Sequence, residues 1–133
     1  MRSLFGTDGI RGKAGEYPLD PATVSRVGAA LAASLRDGGR SGELTVVVGC
    51  DTRVSSPGIV AALAGGLGAG GARVRFAGVA PTPEVAFLVK ALGGTVMTTV
   101  GTQEKAAFVE SLGADIVVNR ITDDLASAME KHP

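Results

Sequence analysis

Thr82-Pro83-Glu84-Val85-Ala86-Phe87-Leu88-Val89-Lys90-Ala91-Leu92-Gly93-Gly94-Thr95-Val96-Met97-Thr98-Thr99-Val100 reads as one helix running straight into one strand. Thr82 is a capping residue type and Pro83 suits the first helical position. Val85, Leu88, Val89 and Leu92 recur at i, i+3, i+4 and i+7, which puts apolar side chains on one helix face. Gly93 ends the helix. Thr95 to Val100 is β-branched and apolar, which predicts a buried strand. A helix that feeds a strand through so short a turn is the repeating step of a parallel α/β sheet.

The same step recurs on both sides. Upstream, Arg73 to Val79 is a strand that feeds the Thr82 helix. Before it, Ser55-Ser56-Pro57 opens a helix carrying Ile59, Val60, Leu63 and Leu67. Gly65, Gly66 and Gly68 each cost that helix about 1 kcal/mol relative to alanine, so close packing is expected there. Leu44 to Gly49 is an apolar run of strand length suited to the middle of a sheet. Asp20-Pro21 opens a helix with Val24, Val27, Leu31 and Leu35 on one face, ending at Gly38. Ser3 to Gly12 reads as one irregular strand bent at its glycines. Downstream, Thr102 caps a helix with Phe108, Val109 and Leu112 inward. Asp115 to Asn119 is the last strand and Thr122 to Lys131 a final helix. The alternation predicts a single domain over residues 1–133, a three-layer α/β/α sandwich whose five strands are mostly parallel.

Composition narrows the function. A chain of 133 residues suits one domain with a real core. Its 13 basic and 13 acidic residues cancel without a run of either sign, so neither a nucleic-acid nor a membrane surface is expected. No stretch approaches the roughly 18 apolar residues of a membrane span. The lone Cys50 excludes an intramolecular disulfide, and without a signal-peptide core near Met1 a cytoplasmic location is expected. Gly66-Leu67-Gly68-Ala69-Gly70-Gly71 satisfies G-x-G-x-x-G, but it ends a helix and precedes a strand, the reverse of the dinucleotide-binding order. Ser55 and Ser56 lack a triad, because the only histidine is His132. Asp8, Asp51 and the Asp123-Asp124 pair make no recognisable metal cluster. No catalytic residue, metal ligand or cofactor is assigned.

Three spaced segments carry a resemblance: Leu4-Phe5-Gly6-Thr7-Asp8-Gly9-Ile10-Arg11-Gly12, Gly49-Cys50-Asp51-Thr52-Arg53-Val54-Ser55 and Gly78-Val79-Ala80-Pro81-Thr82-Pro83. Over residues 1–88 they closely resemble the N-terminal domain of the bacterial phosphoglucosamine mutases, members of the phosphohexomutase family. The resemblance implies a Ser-Ala-Ser-His-Asn-Pro loop after the next strand, whose serine carries the phosphoryl group. Thr98-Thr99-Val100-Gly101-Thr102 stands there instead. It also implies an acidic metal loop and a phosphate-binding domain beyond this length of chain. From about Val89, Lys90-Ala91-Leu92-Gly93, Gly101-Thr102-Gln103-Glu104-Lys105-Ala106-Ala107 and Leu112-Gly113-Ala114-Asp115 resemble the cofactor domain of quinone oxidoreductases and related medium-chain dehydrogenases. That likeness implies that Lys105 meets an adenosine 2′-phosphate, although Ala80-Pro81-Thr82-Pro83 replaces the glycine fingerprint.

Together the two resemblances imply a chimera of residues 1–88 and 89–133 without catalytic activity; an engineered join is the first reading and a frame-preserving natural fusion the rival one. With strands counted along the chain, the implied sheet order is 2-1-3-4-5 with the first strand antiparallel. The alternative expectation is a weak module for a phosphosugar or nucleotide phosphate. Its anion site would gather Arg11, Arg53, Ser55, Ser56, Thr82, Thr102 and Lys105 at the carboxyl edge of the sheet, where helix N-termini favour phosphate. No partner is required, and self-association through exposed apolar surface is a third role.

Overall fold

A computed structural model describes residues 4–6, 9–37, 42–94, 96–100, 102–111 and 114–119. Asp20 starts the first helix by accepting the Thr23 N–H on Oδ1 at 2.9 Å, which satisfies a donor that the helix itself leaves open. The elements then follow as α1 (Pro21–Asp37), β1 (Thr45–Cys50), α2 (Ser56–Ala69), β2 (Arg73–Val79), α3 (Thr82–Ala91), β3 (Met97–Val100), α4 (Gln103–Ser111) and β4 (Ile116–Asn119). The chain divides into two compact units, residues 1–81 and 82–133. The expected helix from Thr122 to Lys131 lies outside the described residues.

In the first unit, β1 and β2 run parallel, with Thr45 opposite Arg73 and Val48 opposite Phe76, and a bulge after Val48. Ala32, Val48, Leu67 and Ala72 form the buried core, flanked by Leu44, Val46, Val60, Leu63 and Val74. The stripe α1 buries is Val24, Gly28 and Ala32, while Leu31 is exposed. Two glycines explain this choice. A Cβ on Gly66 would overlap the Ser25 carbonyl, and one on Gly28 would overlap the Leu63 carbonyl, so the helix backbones are nearly in contact. Small residues therefore occupy the seam and larger ones flank it. Arg36 closes the far end by donating from Nε to the Gly70 carbonyl at 3.2 Å and from Nη2 to that of Gly71.

Two expectations fail here. The N-terminal segment forms no strand among its described residues: Gly6 and Gly9 make an isolated antiparallel bridge, with Gly9 at φ +95. The glycines thus close a local turn instead of extending the chain. Moreover, β1 bonds directly to β2, so the first strand does not lie between them as the order 2-1-3 requires.

In the second unit, β3 and β4 are also parallel, Met97 opposite Ile116 and Val100 opposite Asn119. Asp115 ties their approach, accepting the Val96 N–H on Oδ2 at 2.8 Å and pairing with Lys90 through Oδ1. Val85, Leu88 and Val89 of α3 are half-buried as the spacing predicts, whereas Leu92 falls past its end and is exposed. Ala106 is the buried residue of α4, and Phe108, expected inward, is exposed. The α/β fold with small parallel sheets stands. No helix among the described residues is long and apolar enough to cross a membrane.

Candidate functional site

The turn from β1 into α2 holds the most developed polar arrangement of the first unit. β1 ends at Cys50, and the next residues must reverse the chain into a helix whose first amides lack partners. Asp51 organises that reversal. Its Oδ1 accepts the Arg53 N–H at 3.1 Å and the Ser56 hydroxyl at 2.5 Å, while its Oδ2 faces Arg53 Nε at 3.1 Å. The Ser56 N–H donates to the Arg53 carbonyl at 3.0 Å. Ser56 is buried, so its hydroxyl anchors the loop from inside.

Ser55 occupies the capping position of α2 at φ −77 and ψ −17 but makes no side-chain cap bond; its carbonyl accepts the Ile59 N–H at 3.2 Å. The Ser56 hydroxyl first, then the Arg53 N–H, hold the Asp51 carboxyl below its usual value, with desolvation opposing and the Arg53 charge adding. The result is a fixed carboxylate beside an exposed guanidinium at the start of a helix, where partial positive charge favours an anion.

The expected site residues are thus unevenly placed. Arg53, Ser55 and Ser56 share this one turn. Arg11 is exposed in the segment after the Gly6–Gly9 bridge. Thr82, Thr102 and Lys105 belong to the second unit. Thr82 is the first residue of α3 and exposed. Thr102 caps α4, its Oγ1 accepting the Lys105 N–H at 3.2 Å and its carbonyl the Ala106 N–H at 3.1 Å. Lys105 is exposed in the first turn of α4, where a cation opposes the helix dipole. Asp51 is the residue that sequence reasoning missed, having weighed it only as a metal ligand. The available signal was an aspartate at the end of a strand, two residues before Arg53 and just ahead of a helix start, the setting of an Asx turn.

The metal that the phosphohexomutase resemblance implies finds no fit on these residues. Among the described residues, no group of three or more His, Cys, Asp or Glu side chains is placed to hold an ion.

Comparison with known proteins corrects the reading of the chain as two joined pieces. The profile for phosphoglucomutase/phosphomannomutase, alpha/beta/alpha domain I, matches residues 2–105. Phosphoglucosamine mutase of Koribacter versatilis is 52% identical over 93 residues, 70% of this chain and 20% of its own length. The Thermus thermophilus protein of that name is 48% identical over 95 residues, 71% of the chain and 21% of the relative. That of Burkholderia cenocepacia is 39% identical over 135 aligned residues, covering 97% of the chain and 30% of the relative. No solved structure matches.

The profile and the Burkholderia alignment both cross Thr82 to Val100, so no change of family occurs there and the dehydrogenase-like part is set aside. The expectation of an inert, non-enzymatic chimera falls with it, since the relatives are named as mutases. The chain spans about a fifth of the length of the first relatives it matches. Because the profile covers most of its residues without a break, the chain belongs to the phosphoglucomutase/phosphomannomutase family through the alpha/beta/alpha domain I of those proteins.

Proposed function

We propose that the chain serves as the first α/β domain of a phosphoglucosamine mutase and binds the phosphate of a phosphorylated amino sugar. The observation that carries this is the Asp51–Ser56 turn. It sets Arg53 beside the N-terminus of α2, at the carboxyl end of a parallel strand, where α/β domains collect ligands. Phosphoryl transfer is governed by placing the phosphate and offsetting its charge, and a guanidinium at a helix start supplies both. Arg11 is proposed as a further anion contact of the first unit, and Thr82, Thr102 and Lys105 as anion contacts of the second unit by itself.

The same reading takes residues 1–133 as one domain of the three-layer α/β/α class. The strand–helix–strand alternation and the right-handed crossovers it demands support this. A soluble phosphosugar substrate fits a cytoplasmic enzyme that needs neither nucleic acid nor a membrane.

A transplant tests the function. Residues 2–88 replace the matching segment of the Thermus thermophilus mutase, which keeps that enzyme's own sequence at the place of Thr98 to Thr102. The hybrid is expected to retain interconversion of glucosamine phosphates, and Arg53→Gln within it to raise KM. A folded hybrid that binds no glucosamine 6-phosphate would overturn the proposal.

A further inference from the structure

We draw no further inference here: the strongest candidate, the exposed face of α3 around Phe87, carries nothing because nothing among the described residues shows what covers it, and Lys90, the cation that face would offer to a second copy, is already paired with Asp115.

Discussion

At the scale of single residues, the glycines of α2 separate into two kinds that their sequence spacing does not distinguish. A Cβ on Gly66 would overlap the Ser25 carbonyl, and none of its surroundings can rotate away because they are backbone. Gly65 and Gly68, its neighbours, would meet nothing within 4 Å. Gly66→Ala is therefore expected to lower the denaturation free energy by about 1–3 kcal/mol or more through overpacking. Gly65→Ala should raise it by about 0.4–1 kcal/mol, because alanine restricts the unfolded chain and suits the helix. Urea titrations of the two variants check this, and a loss at both positions would show that the whole run is packed. The expected cost of these glycines was legible in the sequence. Which of them the helix seam requires was not, because that depends on where a distant helix crosses. Asp51 teaches the same lesson: its type and place were visible, but its bonds to Ser56 and Arg53 arise only once the turn closes.

At the scale of elements, the alternation of helices and strands was legible because each carries its own periodicity and cap, as Asp20 and Thr102 show. Pairing was less legible. Nothing local in Val46 or Val74 says that β1 lies directly against β2, and the glycine-rich N-terminal segment satisfies itself in a short bridge instead of joining them. Asp115 shows how a polar residue can fix what the apolar pattern leaves open, since it bonds the residue before β3 and the end of α3 from just ahead of β4. Its carboxyl is held below the usual range by Lys90 first and the Val96 N–H second; Asp20 is lowered by Thr23 and Asp51 by Ser56. All three are depressed in the folded state, so the unfolded chain binds protons more readily. Their contribution is fully present above the ordinary carboxylate pKa of about 3.9 and is lost as pH falls through the lower folded values. Denaturation midpoints should accordingly hold steady down to about pH 5 and then decline. Asp115→Asn should lower the midpoint at neutral pH and shrink that acid decline. An unchanged acid slope in the variant would show that Asp115 does not carry its share.

At the scale of the whole chain, ancestry and compactness divide the molecule differently. The boundary between compact units falls after Pro81, while the family profile runs on to residue 105 and one relative aligns across nearly the full length. A boundary between compact units near Thr82 is therefore no sign of a change of origin. The missing serine loop and the presence of Thr98 and Thr99 were real features of the sequence; the dehydrogenase-like spacing after Val89 gave them too much weight. The division into units does carry a consequence for stability. In the first unit α1 buries Val24, Gly28 and Ala32, and α2 buries Ser56, Gly66 and Leu67, whereas α3 buries none of its residues and leaves Phe87 exposed. Amides open at free energies that follow such burial. Native-state hydrogen exchange is thus expected to release α3 at a lower opening free energy than the facing parts of α1 and α2, and with a smaller dependence on denaturant. Should α3 exchange at the same free energy and with the same denaturant slope as α1 and α2, the two units open together, and the cooperative unit is the whole family domain instead of either compact part.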